Sequence, residues 1–207
     1  MEVVEIRHGK GALCAEILAA LPDWFGMAQS NAAYARDVET MAMFAAVAAG
    51  ERIGFVALKR HTLYATEIHV MGVRPAHHRR GAGRALVEAA LRHAGAEGVR
   101  FLTVKTLSDR HPDPAYAGTR AFYEAVGFLA VEEFPTLWTP DNPALMLASG
   151  APVHSPMQLQ PSTQSWRVIW VRGGNLRISA SDSLSGFSTR PPTGMIQSLK
   201  PWERWML

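Results

Sequence analysis

The sequence predicts an α+β or mixed-sheet fold, and three observations lead to that class. Two β-rich runs at 41–48 and 53–61 are joined by Ala49-Gly50-Glu51, which is typical of an antiparallel hairpin. An apolar strand at 63–73 is followed by a glycine turn and an amphipathic helix. Strands and helices then alternate. Because the early strands meet in a hairpin and the helices enter around it, helices should pack on a sheet that contains antiparallel strands.

The remaining elements are predicted from the same local signals. The chain opens with a short strand at 3–7 and an apolar-faced helix at 12–21, which Pro22 ends. Ser30 and Asn31 are suitable caps for a second helix that runs to about residue 39. The later elements are a strand at 100–106, a helix at 115–126 closed by Gly127, and strands at 128–135 and 144–148.

The strand at 63–73 and the helix after it form the central feature of the sequence. Pro75 cannot donate a ladder hydrogen bond and favours an extended Arg74, so the strand should end there. From Gly83 onward, apolar residues recur at helical spacing. The segment Arg79-Arg80-Gly81-Ala82-Gly83-Arg84 therefore opens a helix.

This helix start has the composition of an anion site. The first turn of a helix carries unpartnered N–H groups and partial positive charge, which suit a phosphate or pyrophosphate. Gly81 and Gly83 let the backbone approach an anion, and Arg79, Arg80 and Arg84 add charge. The alternative is an ordinary glycine turn with solvated arginines. The joint pattern of strand, proline, glycine turn and amphipathic helix favours the anion site, and no Gly-Lys-Ser/Thr follows that would make it a Walker loop.

Two segments resemble the motifs of the GCN5-related N-acetyltransferases. Val73-Arg-Pro with Arg79-Arg80-Gly81-Ala82-Gly83 resembles their acetyl-CoA-binding motif, and the segment 120–128, Arg-Ala-Phe-Tyr-Glu-Ala-Val-Gly-Phe, resembles their second motif. The motifs stand in the family's order, and the likeness covers about residues 1–148. Two positions depart from the family pattern. His78 stands where the family most often has Gln or Arg, and Tyr116 where many members have an Asn that contacts the cofactor.

The resemblance implies a mixed, mostly antiparallel central sheet with flanking helices, the acyl-CoA N-acyltransferase fold. In that fold the strands at 63–73 and 100–106 splay apart and admit the pantetheine arm of acetyl-CoA. The cofactor-binding set it implies is Met71, Gly72 and Val73 on the strand, Arg79, Arg80, Gly81, Ala82, Gly83 and Arg84 at the turn, and Tyr116. A backbone N–H near Met71 to Val73, where the family strand has a bulge, would serve as oxyanion donor. Gly72 suits such a bulge or equally a close packing contact.

Acetyl transfer to an amine needs a base and an acid. Glu67 stands where histone-acetylating members keep their catalytic glutamate, and burial in an apolar strand is expected to raise its pKa. An ion-paired structural carboxylate is the alternative. His69 lies two residues on, on the same face, and is a proton relay, a substrate contact or a structural residue. Tyr123 matches the family's general acid, whereas Phe122 is expected in the core.

The leading function is direct transfer of acetyl from acetyl-CoA to a primary amine of a small molecule or peptide. The alternative is a non-catalytic acyl-CoA-binding or sensing module. The side on which Lys105 and Thr103 lie stays open, and candidate walls of the acceptor site are Trp24, Phe25, Tyr34 and Trp138.

Composition bounds the remaining classes. Of 207 residues, 48% are hydrophobic and 19% charged, as in globular proteins, and no apolar run approaches the roughly 18 residues of a membrane span. Residues 1–148 carry 15 Lys+Arg and 16 Asp+Glu, so the basic excess lies in 149–207 and nucleic acid is not an expected partner. Cys14 alone forms no internal disulfide and should be a buried, inert thiol.

The start of the sequence has the character of a strand and not of a signal peptide, so a cytoplasmic protein is expected. No membrane partner and no metal site are predicted, and a homodimer is left open. We expect an acetyltransferase domain at 1–148 and a low-complexity, disordered extension at 149–207, with a hairpin at 166–172 and 175–179 across Gly173-Gly174.

Overall fold

The computed structural model describes residues 1–152 and the backbone of two further strands at 166–171 and 175–180. The chain divides into two units after Pro156, and the first unit contains the elements that position the candidate site. Within the described residues, no helix is both long enough and apolar enough to cross a membrane.

Seven strands of the first unit form one sheet in the order β1-β2-β3-β4-β5-β7-β6. The pair β4–β5 is parallel and every other neighbouring pair in this sheet is antiparallel. The predicted mixed, mostly antiparallel sheet with flanking helices is therefore confirmed. The elements are β1 (Glu2–Glu5), α1 (Lys10–Ala19), α2 (Ala28–Asp37), β2 (Ala42–Ala48), β3 (Glu51–Arg60), β4 (Ala65–Val73), α3 (Ala82–Ala96), β5 (Phe101–Leu107), α4 (Pro114–Ala125), β6 (Leu129–Thr139) and β7 (Asn142–Gly150).

The hairpin of β2 and β3 forms where the sequence predicts it. Ala49 and Gly50 both have positive φ, 51° and 81°. Two consecutive left-handed residues match the right-handed twist of the flanking strands, which is why such turns dominate two-residue hairpins.

Apolar clusters cover both faces of the sheet. On one face, Leu86 and Val87 of α3 pack with Phe128 and with strand residues. On the other face, α1 places Ile17 and Leu18 against Phe55. Cys14 of α1 is fully buried there, and burial raises its pKa to about 12, so the predicted buried thiol is confirmed and carries no reactive thiolate at neutral pH.

Strands β4 and β5 separate after a short seam. They pair at four positions, from Ala65↔Phe101 to Ile68↔Val104, although β4 continues to Val73 and β5 to Leu107. The expected divergence of these two strands is therefore present, and it leaves a wedge-shaped opening in the sheet.

The β-bulge of β4 lies earlier than the sequence suggests. The register against β3 shifts between Ala57↔Val70 and Leu58↔Ile68, which leaves His69 as the extra residue. Residues 71–73 pair regularly with β3, so the bulge expected there is wrong. Gly72 is small for another reason: a Cβ would lie 3.1 Å from Ile17 Cγ2 of α1 and 3.0 Å from Leu21 Cδ1 just after that helix, because both pack directly on the strand.

Helix α2 begins two residues before its predicted caps. Met27 precedes the helix without a side-chain cap, and Ser30 and Asn31 lie inside it. Asn31 Nδ2 instead donates to Phe25 O at 2.7 Å, so its polar group ties the helix to the preceding loop.

Strand β7 continues to Gly150, two residues beyond its predicted end. Ala151 is buried beside Ala94 and Val99, and its amide donates to Arg100 O at 2.9 Å. In the second unit, β8 (Trp166–Val171) and β9 (Asn175–Ala180) form the predicted antiparallel pair. The expected turn at 173–174 and the expected disorder at 153–165 and 181–207 lie outside the described residues.

Candidate active site

A cleft of about 1170 Å³ opens at the wedge between β4 and β5. It is continuous from Glu67 and Lys105 near the seam to Gly81 and Gly83 at the start of α3. The two regions that the sequence singles out for chemistry and for anion binding therefore share one cavity.

The turn before α3 presents unpartnered amides. Arg79 and Gly81 have positive φ, 58° and 86°, which directs the chain sharply into the helix. The first helical amide with a backbone acceptor is that of Ala85, which donates to Gly81 O at 3.0 Å. Within residues 1–152, the amides of 81–84 have no hydrogen-bond acceptor. Such a helix start carries partial positive charge and can bind an anion.

The side chains around this turn have different environments. Arg79 and Arg84 line the cleft. Arg84 Nη2 donates to Ala125 O at 3.3 Å and so supports the carboxyl end of α4. Arg80 is exposed and is not among the residues that line the cleft. His78 Nε2 donates to Val73 O at 2.7 Å and closes the end of β4.

Gly83 has a packing role that the sequence did not reveal. A Cβ on Gly83 would lie 3.1 Å from the ring of Phe122, so the missing side chain lets α3 and α4 approach each other. A Cβ on Gly81, by contrast, would have no neighbour within 4 Å. A substitution at Gly83 therefore disturbs helix packing, whereas a substitution at Gly81 changes the anion site without a steric clash.

The wedge exposes part of the backbone of β4. Arg74 N donates to Ile53 O of β3 at 2.8 Å. Because successive amides of a strand point to opposite sides, those of Met71 and Val73 point away from β3, toward the side where β5 has diverged. The amide of Gly72 points to β3. Met71 and Val73 can therefore donate into the cleft through the backbone.

Glu67 lies at the base of the cleft between two hydrogen-bond donors, Lys105 and His61. Its side chain is largely buried, with 8% of the residue exposed. Lys105 Nζ donates to Glu67 Oε1 at 2.8 Å, and His61 Nε2 donates to Glu67 Oε2. Burial raises the pKa of this carboxyl, but the hydrogen bonds and charges of Lys105 and His61 outweigh burial and hold the pKa below its usual value.

The expected upward shift of the Glu67 pKa is therefore wrong, and the reason lies in its neighbours. Lys105, whose direction the sequence leaves open, points into the cleft from β5. His61 was missed because it lies just beyond the end of β3, and only the antiparallel pairing of Lys59 with Glu67 brings it near. His61 lies two residues after Lys59, the ladder partner of Glu67. A polar residue at that spacing is the signal that could have identified it.

His69 belongs to a second polar group. Its Nε2 lies 3.2 Å from Asp37 Oδ2, and its ring meets the ring of Tyr34 edge-on at 5.4 Å. Burial lowers the pKa of His69, and Asp37 opposes that effect only in part. His69 and Glu67 both line the cleft, but they have separate hydrogen-bond partners.

Tyr123 lines the cleft from α4 and is also part of the core. Only 5% of the residue is exposed, and its ring packs edge-on against Phe122 and Phe128. Burial raises the pKa of its hydroxyl, so Tyr123 is protonated at neutral pH. Phe122 is the less buried of the two neighbours and also faces the cleft.

Hydrogen bonds hold the loop after α1 against α4. Tyr116 OH donates to Trp24 O at 3.0 Å, and Trp24 Nε1 donates to Thr119 Oγ1 at 3.1 Å. Tyr116 lines the cleft, but its hydroxyl is engaged in this link. All four wall residues suggested by the sequence line the cleft: Trp24, Phe25, Tyr34 and Trp138.

Comparison with known proteins identifies the family. A family model described as acetyltransferase (GNAT) family matches residues 15–128, which is more than half of the 207 residues. The chain therefore belongs to the GNAT acetyltransferase family, whose cosubstrate is acetyl-CoA. A comparison with curated protein sequences returned no match.

Solved structures share the fold at low sequence identity. The ribosomal-protein-S18-alanine N-acetyltransferase of Escherichia coli is 18% identical with a TM-score of 0.60, covering 76% of this chain and 97% of its own. The aminoglycoside 6′-N-acetyltransferase of Enterococcus faecium is 18% identical with a TM-score of 0.58, covering 75% and 100%. A GNAT acetyltransferase of Elizabethkingia anophelis, solved with acetyl-CoA bound, is 15% identical with a TM-score of 0.57, covering 72% and 97%.

Proposed function

We propose that this protein is an N-acetyltransferase that transfers the acetyl group of acetyl-CoA directly to a primary amine. The observation that carries the proposal is the continuity of the cleft. One cavity joins the unpartnered amides at the start of α3 to Glu67 and Tyr123, so a bound cofactor and an amine could meet inside it. Family membership supports the same conclusion.

Acetyl-CoA would bind along the wedge. Its pyrophosphate suits the amides of 81–84 and the Arg79 side chain, and its pantetheine arm suits the free backbone groups of Met71 and Val73. Arg80 and Ala82 remain in the proposed cofactor-binding set, Arg80 through its positive charge near the turn and Ala82 through its backbone amide. Gly72 directs its amide to β3, so it would make no backbone hydrogen bond to the cofactor. Tyr116 would act mainly by fixing the loop of Trp24 over the cleft.

Glu67 would orient the ammonium and take up its proton on the way to water. An alkyl ammonium has a pKa of about 10.4, so a carboxylate with a lowered pKa is a poor final acceptor of its proton. His61 Nε2 already donates to Glu67 Oε2, so His61 holds the carboxylate in place, and its side chain is 39% exposed to solvent. Glu67 therefore orients the ammonium and passes its proton on to water.

The remaining groups complete the transfer. The amine nitrogen attacks the thioester carbonyl carbon, and an amide of Met71 or Val73 stabilises the oxygen as it becomes negative. The carbon–sulfur bond then breaks, and Tyr123 donates its hydroxyl proton to the leaving thiolate. The products are an N-acetyl amine and coenzyme A. His69, held by Asp37, would position the acceptor.

A non-catalytic acyl-CoA-binding module is the second candidate, and one observation favours it. Both carboxylate oxygens of Glu67 are already occupied, by Lys105 and His61, as in a structural ion pair. Release of coenzyme A thiol in the presence of amines separates the two candidates, because a binding module releases none.

The cofactor site is tested by a charge-matched pair at Gly81. Gly81→Asp places a carboxylate beside the proposed pyrophosphate, while Gly81→Asn has nearly the same shape and tolerates the left-handed backbone equally well. By calorimetry, Gly81→Asp should lose at least tenfold more acetyl-CoA affinity than Gly81→Asn. Equal affinities in two folded variants would contradict the proposed pyrophosphate site.

The chain also supports a cytoplasmic location as part of the proposal. Cys14 is buried and unpaired in the described part of the chain, which is compatible with a reducing compartment. Fractionation of cells that express the protein would test this location.

A further inference from the structure

Acidic side chains are scarce in the cleft. Among the described residues that line it, Glu67 is the single carboxylate, whereas Lys59 and Lys105 lie at the same end and Arg79 and Arg84 at the other. Lys105 is already paired with Glu67 at 2.8 Å. The acceptor end therefore has one negative charge that is neutralised within the protein.

Lys59 adds a positive charge to this end. It is the ladder partner of Glu67 in β3, so the two side chains project from the same face of the sheet. Its charge is felt at His69, where it acts in the same direction as burial and lowers the pKa. Asp37 is not among the residues that line the cleft, and its carboxylate lies 3.2 Å from His69 Nε2.

The walls of the acceptor end are apolar and fixed. Trp24 is held by its hydrogen bond to Thr119, and Tyr34 packs edge-on against Phe25 at 6.1 Å. Leu137 and Trp138 also line the cleft, although 49% and 45% of their surfaces are exposed. Large apolar side chains left in water at a cavity mouth gain free energy when an apolar ligand covers them.

We propose that the acceptor is a primary monoamine on an apolar or aromatic body, and that the cleft selects against acceptors with additional positive charges. This inference rests on the proposed acetyltransferase function. The reacting ammonium approaches Glu67, the single carboxylate of the described lining, whereas a second ammonium finds no further carboxylate there to offset the charges of Lys59, Arg79 and Arg84. At an effective dielectric of about 20 to 60, one such repulsion at about 4 Å disfavours binding by about tenfold or more.

The test compares amines that differ in one charge. Hexylamine and 1,6-diaminohexane share a six-carbon chain, and 2-phenylethylamine and spermidine extend the series in the two directions. With acetyl-CoA and a thiol-release readout, kcat/KM for hexylamine and 2-phenylethylamine should exceed that for 1,6-diaminohexane by about tenfold or more. Equal or better use of 1,6-diaminohexane or spermidine overturns the inference.

A charge reversal tests the cause of the selectivity. Lys59→Glu should reduce the ratio of kcat/KM between hexylamine and 1,6-diaminohexane about tenfold, by offering the second ammonium a carboxylate. Arg52→Glu is the matched control, because Arg52 is an exposed cation of the same strand that does not line the cleft. An unchanged ratio in Lys59→Glu, or an equal change in both variants, overturns the role of Lys59.

Failure of turnover is distinguishable from failure of the inference. If no amine is acetylated, calorimetry with the coenzyme A complex measures binding of hexylamine and 1,6-diaminohexane directly. Tighter binding of hexylamine then supports the inference while the proposed transfer reaction fails. Tighter binding of the diamine, or binding of neither amine, overturns the inference.

Discussion

The end of β7 offers a sharp test of where the folded domain stops. A chain that ends at residue 148, the boundary expected from the sequence, loses two ladder positions, Leu102↔Ser149 and Phe101↔Gly150. It also loses the buried Ala151 and the hydrogen bond from its amide to Arg100 O. A chain that ends at residue 156 keeps all of these contacts.

The size of the effect follows from these contacts. About three backbone hydrogen bonds at about 1 kcal/mol each, plus one buried methyl group at about 0.8 kcal/mol, give a loss of roughly 2–4 kcal/mol after fraying of the new end is allowed for. For a domain of this size, each kcal/mol moves the melting temperature by about 2–4 °C. The shorter chain should therefore melt about 4–16 °C below the longer one.

Thermal unfolding followed by circular dichroism measures this difference, with the full chain as reference. Both shortened chains should bind acetyl-CoA with similar affinity when folded, because residues 149–152 do not line the cleft. Equal melting temperatures for the two shortened chains would refute the assignment of residues 149–152 to the core.

Four further predictions concern the cleft. Glu67→Gln should lower kcat about 10²–10⁴-fold and retain acetyl-CoA affinity. Glu88→Gln, on the exposed face of α3, is the control and should leave kcat unchanged. A loss of less than about tenfold in Glu67→Gln would move the base role to His69 or water. Because folding lowers the pKa of Glu67, its stabilising effect is present above the unfolded value of about 4.3 and is lost as pH falls through the folded value. Glu67→Gln should therefore lower the urea midpoint more at pH 7 than at pH 3.5, and a difference independent of pH would argue against the ion pair. Tyr123→Phe should slow turnover while keeping the ring contacts and the melting temperature, and full activity would remove Tyr123 from the mechanism. Gly83→Ala should reduce both stability and acetyl-CoA affinity, because the new Cβ would lie 3.1 Å from the ring of Phe122. A loss of affinity with unchanged stability would mean that Gly83 serves anion binding alone.

The fold was predictable because local and global signals agree in most of the chain. The hairpin of β2 and β3 needs left-handed residues, and Ala49-Gly50 supplies them. Helix α2 shows the limit of such signals. Asn31 has the chemistry of a cap, but the helix already begins at Ala28, so Asn31 lies inside it; its Nδ2 donates to Phe25 O, and its Oδ1 caps no amide among the described residues.

The composition of the cleft was predictable, whereas its electrostatics was not. Glu67 and Tyr123 stand on one cleft as the motifs imply, and their catalytic roles stay predictions. The pKa of the Glu67 carboxyl depends on Lys105 and His61, which are distant in sequence from Glu67 or outside its strand and are brought near it by strand pairing. A residue's own neighbours in sequence indicate whether it is buried, but they do not indicate which charges it meets there.

Because β4 and β5 pair at only four positions, the stability of the sheet at this seam should depend on whether a ligand is bound. Within the seven-stranded sheet, strands β1–β4 pair with strands β5–β7 only along this short seam. Local opening of the sheet is therefore expected at the wedge. A molecule lodged between Met71 and Thr106 spans both halves and stabilises the closed arrangement in proportion to its occupancy. Amide hydrogen exchange along β4 and β5 would slow as the wedge fills, while the distant pair of β1 and β2 kept its own rate. The amide exchange rates of β4 and β5 would therefore report how much of the cleft is occupied.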